Sequence, residues 1–200
     1  NAPKVFYRFN ESVGATDAAN IGSDAGFEGA VNGTIVFEND SMPGLGTAAD
    51  LGTYGFIRTG AGNTLSGTGN GTEYLGVSET ATLEYFIKTS YAGNGTTDWH
   101  VTTLYGGDDS QRTGRLDPAQ EWFWGTLHDG KVGATGSGGL TNYESNTAIN
   151  DDEWHHIVMT RNLNDFKIYI DGVLDREVTN FSTKVSGDFY NEIGQNRNLG

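Results

Sequence analysis

Apolar and polar positions alternate most clearly near the end of the chain. From Trp154 to Arg161 the side chains divide by parity, with Trp154, His156, Val158 and Thr160 on one face and His155, Ile157, Met159 and Arg161 on the other, the two-residue repeat of a β-strand. Phe166, Ile168 and Ile170 then alternate with Lys167 and Tyr169. Asp171-Gly172 follows and supplies the two positive-φ positions of a tight hairpin, which predicts a return strand from Val173 to Val178. The same reading places strands at 4–9, 34–37, 55–59, 82–88, 101–105, 121–127, 131–135 and 189–193, with a second hairpin at His128-Asp129-Gly130. Roughly eleven turn-separated strands and no amphipathic helix predict an all-β sandwich of two packed antiparallel sheets. The irregular stretches 60–72, 91–98, 106–120 and 136–150 are long enough to be read as functional or mobile loops.

Composition narrows this reading. Two hundred residues make one domain with a core of its own, and no linker or repeat divides them. Thirty glycines against three prolines fit many short strands and turns. Twenty-six acidic and twelve basic residues leave a formal charge of −14, which opposes nucleic-acid phosphate and anionic membrane surfaces. The absence of cysteine rules out disulfides, thiol catalysis and thiolate metal sites. No apolar run reaches the length of a membrane-spanning helix. The chain opens Asn1-Ala2-Pro3 and enters a strand almost at once, as a mature secreted protein does after cleavage. Six Asn-x-Ser/Thr triplets begin at Asn10, Asn32, Asn39, Asn70, Asn94 and Asn180, acceptors in a host that glycosylates.

Catalytic patterns are sparse. A retaining glycosidase needs two carboxylates about 5 Å apart, and on a strand that calls for acids at alternate positions. Glu84 stands alone, with Phe86 two residues on, while Asp151, Asp152 and Glu153 are consecutive and would splay. His155 and His156 point to opposite faces, so ring packing beside Trp154 is the expectation for them rather than catalysis. Aromatic residues are the better signal. Trp122, Trp124 and Thr126 share one face by parity, and Phe123, Gly125 and Leu127 the other. The tryptophans either fill a core or form a platform on which a sugar stacks. Trp99, Tyr105 and Tyr143, with Tyr91, are the other candidate stacking residues. No catalytic residue is assigned.

The order Trp-His-His-hydrophobic-x-hydrophobic-Thr, a polar loop, then hydrophobic-Tyr-hydrophobic-Asp-Gly, over 154–172, resembles the laminin-G-like and pentraxin-like domains of the concanavalin A-like lectin/glucanase superfamily. VFYRFNE (5–11) is similar to the family's opening strand, and TLEYFIK (82–88) to its inner strand, with Phe86 where tryptophan is usual. The resemblance implies a jelly-roll sandwich of two curved sheets and a non-catalytic, secreted or cell-surface recognition and adhesion module for glycans or extracellular protein partners. It also implies a calcium site in the loop 17–29, where Asn20, Asp24 and Glu28 fall near the family's acidic turn. Asx-turns are the other reading of that loop. The family continues past a segment like 192–197 into a final strand, which has no counterpart before Gly200. Truncation is one reading of this, and a homo-polymer is the alternative expectation, an extracellular filament assembled by strand addition at the edge from Lys4 to Phe9. A glycan-cleaving enzyme is a third.

Overall fold

A computed structural model describes residues 2–3, 5–23, 28–38, 44–52, 55–59, 80–97, 100–108, 122–134, 143–181 and 190–194. Among the described residues, fifteen strands form three antiparallel sheets. The largest runs in the order β1 (Asp17–Ala18), β2 (Gly29–Asn32), β5 (Phe56–Thr59), β15 (Tyr190–Ile193), β8 (His100–Asp108), β9 (Trp122–His128), β10 (Lys131–Ala134), β11 (Glu144–Ala148), and β7 (Gly95–Thr97) also pairs with β8. The second sheet is β14 (Val173–Val178), β13 (Asp165–Ile170), β12 (Trp154–Asn162), β6 (Thr80–Lys88). β3 (Val36–Glu38) and β4 (Ala48–Asp50) form a two-stranded ribbon.

The four-stranded sheet follows from its alternation. β6 runs from Thr80 to Lys88 with every second residue exposed, and it lies along the whole of β12, from Trp154 opposite Lys88 to Asn162 opposite Thr80. Ile157, Met159, Phe166, Ile168 and Ile170 turn inward and meet Trp124, Leu127, Val132 and Ala134 of the large sheet. The Trp124 indole packs edge-on to Phe166 and Phe181, whose rings stack on each other at 4.5 Å. A smaller core gathers Ala18, Ile35, Phe37 and Ile57 between the ribbon and the β2–β5 end of the large sheet.

Both hairpins use Asp-Gly as expected, with φ of 49° and 76° at Asp129 and Gly130 and 53° and 80° at Asp171 and Gly172. Other features depart from the sequence reading. Among the described residues, the segment expected as an opening strand at 4–9 is not a named strand: Tyr7 forms an isolated bridge with Asn20, the Ile21 amide donates to the Phe6 carbonyl, and the Asn20 side chain accepts from the Phe6 amide. β1, β2, β4, β7 and β11 were not expected, and the last two lie inside stretches read as loops. The stretch 60–72 and most of 106–120 lie outside the described residues.

Candidate functional site

The large sheet carries an unusual second face. β10 alternates simply: Val132 and Ala134 lie in the core, so Lys131 and Gly133 face the other way. Gly133 pairs with Thr126 on one side and Glu144 on the other, and Thr126 pairs in turn with Thr103. Three residues along β8 from Thr103, Glu192 stands between Gly106 and Arg58, while its neighbour Ile193 joins the smaller core. Thr103, Thr126, Glu144 and Glu192 thus share the face turned away from the core, and all four are buried. With Ser145 they are the buried polar residues among those described, and all belong to this sheet. Ser145 sits where the β10–β11 register slips. Its hydroxyl accepts from the Val132 amide and donates to the Thr147 carbonyl.

Gly125 makes this face. The β9–β10 ladder slips between Gly133 and Ala134, and Gly125 takes the left-handed region at φ 69°, so one residue of β9 is inserted relative to β10 and the parity of β9 inverts, while β8 stays in register with β9 across this point, Thr103 opposite Thr126 and Tyr105 opposite Trp124. Trp124 before the bulge and Leu127 after it both enter the core, while Thr126 and His128 face outward. Strict alternation, which groups Trp124 with Thr126, fails at this position.

At the β10–β11 end of the face, His128 Nδ1 lies 2.8 Å from Glu144 Oε1. The Glu144 side chain is 7% exposed and that of His128 17%. Burial pushes the Glu144 carboxyl above its ordinary range, and His128 and Lys131 pull it back in part. At the rim, Asp129 Oδ2 is 4.0 Å from His128 Nε2. Gly133 leaves room for the glutamate, since a Cβ there would meet the Tyr143 carbonyl at 2.7 Å and Glu144 Cγ at 3.2 Å. Chemically this is a polar, glycine-floored face with buried hydroxyl and carboxylate groups, suited to hydrogen-bonding polyols.

The expected stacking residues are placed differently. Trp124 and Tyr143 are buried, with Tyr143 edge-on to Phe181 at 4.7 Å, so neither ring offers a face to a ligand. Tyr105 is partly buried against the same core, and burial drives its hydroxyl pKa far upward. Tyr91 is exposed. Trp99 lies outside the described residues, as do the side chain of Trp122 and the whole of Asp24. Sequence reasoning missed Thr103, Thr126, Glu144 and Glu192. Only His128, in the visible hairpin, could have pointed to them.

In the loop read as a calcium site, Asn20 Oδ1 accepts from the amides of Phe6 and Gly22, each at 2.9 Å. That is an Asx-turn. Among the described residues no three metal-binding side chains gather.

The histidine pair does not pack beside Trp154 as its main contact. His156 stacks on Phe86 at 4.5 Å and bonds Glu84 at 2.9 Å. His155 bridges Asp171 at 2.8 Å and Asp151 at 3.1 Å, and Asp171 also accepts from the His156 amide. These bonds tie the Asp171-Gly172 turn to β12.

Residues 51–200 match the Laminin_G_3 family model, described as concanavalin A-like lectin/glucanases superfamily. No curated protein matches the sequence. Among solved structures, domain 4 of AbnA, a GH43 extracellular arabinanase from Geobacillus stearothermophilus, in complex with arabinotriose, is similar at TM-score 0.62 and 17% identity, over 98% of this chain and 84% of that one. The binding domain of Paraclostridial Mosquitocidal Protein 1 is similar at TM-score 0.55 and 13% identity, over 100% of this chain and 46% of that one. At these identities the likeness is one of fold.

Proposed function

This chain belongs to the concanavalin A-like lectin/glucanases superfamily, and from that premise we propose that it is a non-catalytic glycan-recognition module acting outside the cell or at its surface. The observation that carries the reading is the buried polar face of the large sheet. A sheet face without core contacts is ordinarily solvated, whereas this one carries the buried polar residues Thr103, Thr126, Glu144 and Glu192, hydroxyl and carboxylate groups of the kind that line polyol-binding surfaces. Sugar hydroxyls are partners of the right chemistry. The arabinotriose bound by the arabinanase domain and the binding role of the mosquitocidal-protein domain are consistent with this use of the fold.

Carboxylate spacing supports the non-catalytic part. Glu192 on β15 and Glu144 on β11 stand four strand steps apart in the sheet order, about 19 Å at ~4.8 Å per step. Glycoside hydrolysis by two carboxylates needs about 5 to 9.5 Å. Glu84, on the other sheet, is held by His156. A glycan array probed with the purified chain tests the reading, followed by incubation of each bound glycan and product analysis. The expected result is retention of a defined subset without cleavage. Failure to bind any glycan refutes recognition, and released sugar refutes the non-catalytic assignment.

A further inference from the structure

The two edges of the four-stranded sheet are unlike. β14 is interrupted by a register shift and tied to β11 through the carboxylate of Asp175, devices that blunt an edge. β6 is nine residues long and holds one unbroken register with β12. Among the described residues no strand lies along its other side. Its core-facing residues Ala81, Leu83, Tyr85 and Ile87 pack against the main core but are only partly buried, whereas Ile157 and Met159, one strand further in, are fully buried. On its outer face Glu84 is 61% exposed and Phe86 41%. The direction of its backbone groups follows from the Asp171 turn. The Asp171 amide donates to the His156 carbonyl, so the even-numbered residues of β12 bond toward β13 and the odd-numbered ones toward β6. In the observed register this sets Leu83, Tyr85 and Ile87 toward β12 and turns the amides and carbonyls of Thr82, Glu84 and Phe86 to the outer edge.

We propose that β6 pairs edge to edge with β6 of a second copy of the chain, antiparallel about a two-fold axis through Phe86, which joins two four-stranded sheets into one continuous sheet. The charges of the strand select this register. Thr82, Glu84, Phe86 and Lys88 share the outer face, and centring the pair on Phe86 sets Glu84 opposite the second copy's Lys88 and Lys88 opposite its Glu84. Centring on Glu84 would instead oppose two like charges. The hydrogen-bonded pairs of this ladder fall on the residues whose backbone groups turn outward. Phe86, stacked on His156 at 4.5 Å toward β12, meets its own copy at the axis. On the core side Tyr85 meets the second copy's Ile87, which covers the half-open end of the core. A two-fold contact of this kind uses the same edge on both copies and closes at the dimer.

Sedimentation velocity of the full chain across a wide range of concentration tests this. A reversible monomer–dimer equilibrium is expected. Glu84→Lys and Lys88→Glu each set like charges opposite one another at both ends of the pair, and each is expected to weaken the dimer at least about tenfold. The variant carrying both exchanges restores the complementarity and is expected to return close to the parent affinity. An equimolar mixture of the two single variants, with opposite charges at both ends, is expected to dimerise where neither variant does alone. Circular dichroism establishes that each variant is folded. Should Glu84→Lys, which gives up the His156 bond, fail to fold, Lys88→Glu decides: a weakened dimer supports the proposal and an unchanged one overturns it. A monomer at every concentration overturns it, as does a dimer indifferent to both exchanges. An open-ended series of larger assemblies overturns it too, and is the signature of strand addition from Lys4 to Phe9 instead.

Discussion

His155 lies between two carboxylates, and both of its ring nitrogens can donate only when the ring is charged. Burial works against that charge, but the bonds to Asp171 and Asp151 outweigh it and raise the His155 pKa. The Asp151 carboxyl is lowered, chiefly by the bond to His155. For Asp171, burial acts upward, and the His156 amide and His155 overcome it to leave the pKa lowered. The histidine contribution is complete below its unfolded value near 6.5 and is lost as pH rises through the raised folded value. The aspartate contributions are complete above about 3.9 and are lost as pH falls through the lowered values. Thermal stability from this cluster is therefore expected to be greatest between about pH 4 and 6.5. His155→Gln is expected to flatten the decline above that window, which melting temperatures measured from pH 4 to 9 would show; an unchanged profile would exclude the cluster as its origin.

Among the elements, those that alternate over six or more residues and end in Asp-Gly are legible in advance. β12 to β14 and the turn at Asp171 follow from Phe166, Ile168 and Ile170 against Lys167 and Tyr169. β2 (GAVN), β4 (AAD), β7 (GTT) and β11 (ESNTA) are short and poor in branched or aromatic residues. Their extended state comes from the strands beside them, which a local pattern does not contain. The polar face was illegible for the same reason, since Thr103, Thr126 and Glu144 come together only through the ladder and the Gly125 bulge. A second bulge has a visible task. Asp175 is the extra residue where the β13–β14 register shifts between Ile168 and Tyr169, and its carboxylate receives the amides of Asn146 and Thr147 on β11. Asp175→Ala is expected to cost about 1–3 kcal/mol and to speed hydrogen exchange at the Asn146 and Thr147 amides; exchange unchanged from wild type would show that the clamp contributes nothing.

For the whole molecule, the core between the sheets and the surface charge act in opposite directions. Trp124, Phe166 and Phe181 are fully buried and mutually packed, and Trp124→Ala is expected to cost about 3–5 kcal/mol in denaturant titration. A loss under 1 kcal/mol would mean that this ring is not central to the core. The formal charge of −14 favours expansion, and salt screens it over about 10 Å at 0.1 M. The melting temperature is accordingly expected to rise between about 10 mM and 200 mM sodium chloride, and a flat response would show that the charges are already locally balanced. The bulge at Gly125 carries a different kind of consequence, one of reading frame. Because a single residue, inserted relative to β10, sets which side of β9 meets the core, deleting Gly125 would turn the distal half of the strand inside out, sending Thr126 and His128 toward the hydrocarbon and Leu127 toward the polar face. The chain would then have to choose between its core and its polar face, and one codon separates the two outcomes.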